Sequence, residues 1–236
     1  MADPNIELLT RVAEALGDLR ERLVFIGGCA TALLITDPAA APVRATADVD
    51  TIVAIVSKPE YHQLGEALCG KGFSQPLEQG NPPFRWTFAG LKLDVMPIDP
   101  AVLGFGNRWY ELAMQTAVTA TLRDGLSIRL VAATCFVATK LVAFLDRGKG
   151  DYLESHDLED VLAVVDGRPA LVDEFERAEI ELREYVASVF ARLLADEDFI
   201  NALPGMVIEG SPADRSPVVL QRMRAIARIL PPRRQT

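Results

Sequence analysis

Histidine is nearly missing from this chain: His62 and His156 are the only two among 236 residues. A His-rich zinc centre is therefore not expected. Cysteine is scarce as well. Cys29, Cys69 and Cys135 are widely spaced and odd in number. They form no metal-ligand pattern, and a reduced, cytoplasmic setting is the simplest expectation. No run of apolar residues is long enough to span a bilayer. The opening residues Met1-Ala2-Asp3-Pro4-Asn5 lack the basic stretch and apolar core of a secretory signal, so no membrane partner is expected. There is no G-x-G-x-x-G after the first strand and no G-x-x-x-x-G-K-[ST] anywhere, which sets dinucleotide-binding and phosphate-loop folds aside. Internal repeats and low-complexity tracts are absent too.

What the chain has is apolar mass and acid. Half of it is hydrophobic, enough for one large domain or two small ones. The net charge of −9 argues against a protein that coats nucleic acid by neutralising phosphates. The charge is segregated, however. Acids greatly outnumber bases from Asp151 to Asp214, and the charged residues after that are all arginines: Arg215, Arg222, Arg224, Arg228, Arg233 and Arg234. A solvated, arginine-bearing terminal helix is the plain reading, and a local phosphate-contacting patch is the alternative.

Periodicity divides the chain into an α/β half, residues 1–132, and a helical half, residues 133–236. Apolar residues at Ile6, Leu9, Val12, Ala13, Leu16 and Leu19 have helical spacing. Residues 23–26 form a short buried strand, Gly27-Gly28 a turn, and residues 29–35 a helix behind it. Residues 47–56 are almost all apolar except for Asp48, Asp50 and Thr51, as in a central strand. A helix is predicted over 58–69, with Pro59 in its first turn. Two alternating segments, 84–88 and 91–96, flank Ala89-Gly90 and read as a β-hairpin. A further strand is expected over 126–131. Helices follow over 133–147, 155–165, 170–194 and 217–230, with Ser155 as an N-cap. The fold class expected is α/β (α+β): a mixed, twisted sheet flanked by helices, then a helical domain closing over a nucleotide site.

The chemistry concentrates in three places. Gly27 and Gly28 follow a strand and allow backbone amides to approach a phosphate. Asp48 and Asp50, two apart on a strand, share one face. In Leu91-Lys92-Leu93-Asp94-Val95, the apolar residues take one face, so Asp94 projects from the other beside Lys92. If the two strands are neighbours, three carboxylates converge. Such a set can hold hard divalent cations that serve an in-line phosphoryl displacement. Asp99, ahead of Pro100, reads as a turn residue, and Trp109 with Tyr110 as core aromatics.

These residues resemble a known superfamily. Gly27-Gly28, then Arg44-x-Thr46-x-Asp48-Val49-Asp50, then Leu93-Asp94-Val95 look like the signature of the polymerase-β-like minimal nucleotidyltransferases. The later segment from Ala138-Thr139-Lys140 through Asp146-Arg147-Gly148, with Asp151 and Ser155-His156-Asp157-Leu158-Glu159-Asp160, is similar to the helical part of AbiEii/MenT-type nucleotidyltransferase toxins. The resemblance covers roughly residues 20 to 170. It implies that Gly27 and Gly28 face a triphosphate and that Asp48, Asp50 and Asp94 bind metal, with Asp94 the base for an acceptor hydroxyl. It further implies that Lys140 reaches the nucleotide phosphates, that Asp157 organises it, and that Arg44 and Thr46 frame the entrance. Many superfamily members carry Ser where this chain has Gly28, so a hydroxyl contact there falls to the backbone or to Thr31.

The resemblance implies an enzyme that moves an NMP from an NTP, with Mg2+ or Mn2+, to a hydroxyl acceptor. In the toxin-like branch the acceptor is an RNA, such as a tRNA 3′ end, and a cognate antitoxin protein restrains the enzyme. Two alternatives stay open: a small-molecule (aminoglycoside-like) or protein acceptor, and a non-catalytic nucleotide-binding module on the same fold.

Overall fold

The computed structural model describes residues 3–76, 80–147, 151–207 and 214–229. Gly148 of the helical motif, Arg233 and Arg234 of the terminal arginines, and the end of the helix expected over 217–230 lie outside them. The chain divides into two compact units. One comprises Met1–Leu33 and Arg44–Ala132, the other Leu34–Val43 and Ala133–Thr236.

The first unit is built on a six-stranded mixed sheet. Its strands are β1 (Leu23–Ile26), β2 (Asp48–Val53), β3 (Arg85–Phe88), β4 (Leu91–Pro97), β5 (Val118–Thr121) and β6 (Ser127–Leu130), in the order β3-β4-β2-β1-β6-β5. β2 is parallel to β4 and antiparallel to β1, while β1 is parallel to β6. The hairpin β3–β4 turns through Ala89 and Gly90, both at positive φ (46° and 80°), as a two-residue type I′ turn requires. That turn sets the register, and Arg85 falls opposite Asp94.

Helix α1 (Pro4–Leu16) begins at Asp3, whose carboxylate accepts the amides of Asn5 and Ile6. It buries Leu9, Val12, Ala13 and Leu16 completely against the sheet unit's core. Each of the larger of these side chains contributes roughly 2 kcal/mol by leaving water. A 3-10 turn (Gly28–Ala30) and a single helical turn, α2 (Thr31–Leu34), follow β1 in place of the longer helix expected over 29–35. α3 (Lys58–Gly70) starts at the cap Ser57 with Pro59 in its first turn. The Tyr61 hydroxyl of α3 donates to the Val95 carbonyl at 2.8 Å. Two short helices, α4 (Pro100–Leu103) and α5 (Tyr110–Gln115), follow β4. Asp99 caps α4, and Trp109 is buried with the Arg108 guanidinium 4.6 Å from its ring centre.

The second unit is helical: α6 (Ala133–Arg147), α7 (His156–Gly167), α8 (Leu171–Arg177), α9 (Ile180–Leu194), α10 (Glu197–Val207) and α11 (Ser216–Ala227). Ser155 caps α7 by accepting the Leu158 amide. The single helix expected over 170–194 is two. Ala178 is extended, and the Glu179 carboxylate accepts the Glu181 and Leu182 amides to start a new helix. α10 has Pro204 in its interior, a residue that usually ends helices. Residues 34–43 join this unit through the Thr36 and Asp37 amides, which donate to the Gly167 carbonyl. Arg215 clamps the same segment, pairing with Asp37 at 2.6 Å and Asp166 at 2.7 Å. No helix among the described residues is long and apolar enough to cross a membrane.

Candidate active site

Strand pairing brings Asp48, Asp50 and Asp94 onto one face of the sheet unit. β2 and β4 are direct parallel neighbours, with Asp48 beside Lys92 and Asp50 beside Asp94. Residues in register on neighbouring strands point the same way, so three carboxylates share a face with Lys92 and Arg85. The opposite face of β2 buries Val49 and Thr51, whose hydroxyl donates to the Asp94 carbonyl at 3.0 Å.

Gly27 closes in on this face. It sits at φ 79°, and a Cβ there would lie 2.0 Å from Asp50 Oδ2. Only glycine allows that approach. Gly28 begins the 3-10 turn and is buried. Thr31 is fully buried, and its Oγ1 has no hydrogen-bond partner among the described residues. Arg44 and Thr46 are held from α1: the Asn5 side chain donates to the Arg44 carbonyl and accepts the Thr46 amide, both at 2.9 Å. The Asn5 carbonyl also accepts from Cys29 Sγ at 3.2 Å. Burial pushes the Cys29 thiol up to about 12. One buried asparagine thus ties the glycine turn to the segment that leads into the carboxylates.

Arg85 is the member that sequence reasoning missed. Its Nε donates to Asp94 Oδ1 at 2.8 Å, and its Nη2 to Asp94 Oδ2 at 2.7 Å and to Asp48 Oδ2 at 3.1 Å. This is a planar two-point fork on one carboxylate with a third bond to another. The Asp94 hydrogen bonds raise the guanidinium pKa further, so Arg85 stays charged. The hairpin register was the available signal, since a two-residue turn at Ala89-Gly90 pairs Arg85 with Asp94.

Mg2+ takes hard oxygen donors. Three aspartates on one face fit that in chemistry. In position, Arg85 holds two of the three, and among the described residues no group of three Asp, Glu, His or Cys side chains is arranged to hold a metal ion.

Lys140 and Asp157 belong to the helical unit. Lys140 Nζ lies 3.1 Å from Asp157 Oδ1 and 2.7 Å from Asp160 Oδ2. Arg147 adds a 2.8 Å bond to Asp157 Oδ2. Asp160, which the sequence reading left unassigned, is almost fully buried. His156 is exposed at the start of α7.

In overall structure the chain is similar to an antigenic nucleotidyltransferase-like protein from Paracoccidioides brasiliensis, at 21% identity and a TM-score of 0.50, over 85% of this chain and 94% of that one. It is also similar to the antibiotic-resistance factor ANT(2'')-Ia, at 16% identity and a TM-score of 0.49, over 85% of this chain and 99% of that one. No family model and no curated protein matches the sequence. The mixed sheet with its helices is an α/β fold, and the first of these proteins shares it.

Proposed function

We propose that this chain is a Mg2+-dependent nucleotidyltransferase that moves an NMP from an NTP to a hydroxyl acceptor. One observation carries the reading: Asp48, Asp50 and Asp94 share a face of neighbouring strands, with Gly27 packed against Asp50. In the proposed reaction the acceptor oxygen attacks the α-phosphorus, the bond to the pyrophosphate breaks, and Asp94 takes the acceptor proton. Asp48, Asp50 and Asp94 would hold the metal, which when bound supplies charge neutralisation at the phosphates. Gly27 and Gly28 present backbone to the triphosphate, and Asn5 fixes the Arg44–Thr46 approach to it. Positioning and electrostatics are most of what such a transfer needs from a protein.

Within this reading the acceptor is an RNA, with a tRNA 3′ end and an antitoxin-restrained toxin as its specific form. The support is the resemblance of the helical motif around Lys140 and Asp157. That resemblance also assigns Lys140 to NTP binding. The test incubates the protein with each labelled NTP, Mg2+ and a panel of RNA, aminoglycoside and protein acceptors, read by mass spectrometry. Label on RNA with wild type and none with Asp50→Ala is the expected result. Label on an antibiotic or a protein alone would replace the RNA acceptor.

A second reading draws on Arg85. A guanidinium that already neutralises Asp48 and Asp94 suits a non-catalytic nucleotide-binding module. NTP binding without transfer to any member of the panel would select it.

A further inference from the structure

Arg85 stands on the edge strand β3, directly opposite Asp94, and engages it through two parallel hydrogen bonds while reaching Asp48 with a third. The Asp94 side chain is only 5% exposed. A charged group so buried is costly unless it is paired and hydrogen-bonded. Arg85 supplies that pairing through a geometry Lys could not reproduce, because the guanidinium fork matches both carboxylate oxygens. The neighbouring Lys92 is exposed on the same face, in register with Asp48, and its ammonium is absent from these bonds. The three carboxylates therefore coexist on one face with an arginine built in among them.

We propose that Arg85 is the resident counter-cation of this carboxylate face, which an incoming divalent cation displaces from Asp48 and Asp94. This rests on the reading of the three aspartates as metal ligands. Two cations drawing on the same oxygens repel one another strongly at such distances. Arg85 therefore lowers the affinity of the face for metal and holds Asp94 oriented while metal is away. It is a positioning residue that sets how much free Mg2+ the site needs.

The test is metal binding, independent of turnover. Mn2+ is titrated into full-length wild type, Arg85→Lys and Arg85→Gln and followed by electron paramagnetic resonance, with Asp48→Asn as a control. Arg85→Gln should bind Mn2+ about tenfold more tightly than wild type, the scale on which partners of metal ligands tune affinity. Arg85→Lys should fall between them. Without metal, Arg85→Gln should melt earlier than wild type, and saturating Mg2+ should raise its Tm by more. Equal or weaker Mn2+ binding by a folded Arg85→Gln overturns the inference and leaves the metal site standing. No Mn2+ binding by any form, with or without NTP, overturns the inference and the metal site together. Wild type gives a second measure should Arg85→Gln not fold. The Arg85 Nε–H resonance, assigned by its loss in Arg85→Lys, should shift as Mg2+ saturates the protein. A resonance that stays put while Mg2+ binds overturns the inference as well.

Discussion

The two units each trap a cation between two carboxylates, and the difference lies in what surrounds each cluster. On the sheet face Arg85 bridges Asp48 and Asp94, while Asp50 adds a third acid against Gly27. In the helical unit Lys140 sits between Asp157 and Asp160, and Arg147 joins Asp157, so two cations meet two acids. The sheet cluster also spends a glycine on close approach, which an architectural ion pair does not need. Balanced charge with a nearly buried acid is how a helix pair is fastened. On the sheet face the arginine bridges two acids from an edge strand, and a third acid lies in register beside Asp94.

Changing one residue in each cluster should separate these roles. Asp50→Asn should lower NMP transfer on the order of a thousandfold, through the loss of several kcal/mol of charge stabilisation at the phosphates, as steady-state assays will show. Its melting temperature should stay close to wild type. Lys140→Met should do the reverse to the fold, leaving Asp160 buried without its cation and destabilising by about 3 to 5 kcal/mol in urea unfolding. Adding Asp160→Leu to Lys140→Met should return much of that loss, since an apolar pair of similar volume often replaces a buried ion pair at little cost. A higher KM for NTP in that folded double variant would add the phosphate role that the resemblance assigns to Lys140.

Gly27→Ala gives a smaller effect on stability and a clear one on the site. A Cβ at φ 79° strains the backbone by roughly 1 to 3 kcal/mol and meets Asp50 Oδ2 at 2.0 Å. Transfer should fall and metal affinity with it, measured on the same Mn2+ titration. The mildest probe is thiol labelling at pH 8. Exposed Cys69 should react at once. Buried Cys29, its thiol pushed up to about 12, should stay protonated and slow. Cys135 is buried on α6 and Cys29 beside the glycine turn, so each reports opening of its own unit. Lys140→Met should hasten labelling of Cys135 more than of Cys29.

Much of the sheet unit was legible. The run of Leu23 to Ile26, the glycines, and the alternation around Asp48 and Asp94 are local patterns, and their strands lie where the patterns put them. Arg85 was legible in principle, since a two-residue turn determines every pair along the hairpin. Asn5 was not. Its bonds to Arg44 and Thr46 cross 39 and 41 positions of chain, and nothing in a helix-opening asparagine announces them. β5 escaped because an edge strand of mostly exposed residues has no buried face to impose alternation. In the helical unit, caps outweighed periodicity. Glu179 starts a helix inside an apolar pattern that runs on, and α10 continues through Pro204.

The most direct measurement is calorimetric titration of a non-hydrolysable NTP analogue into wild type and Asp50→Asn, with and without Mg2+. It requires no knowledge of the acceptor. Binding by wild type that strengthens sharply with Mg2+, and a loss of that dependence in Asp50→Asn, is the predicted result. Identical binding by both proteins, indifferent to Mg2+, would contradict a metal–nucleotide site on Asp48, Asp50 and Asp94.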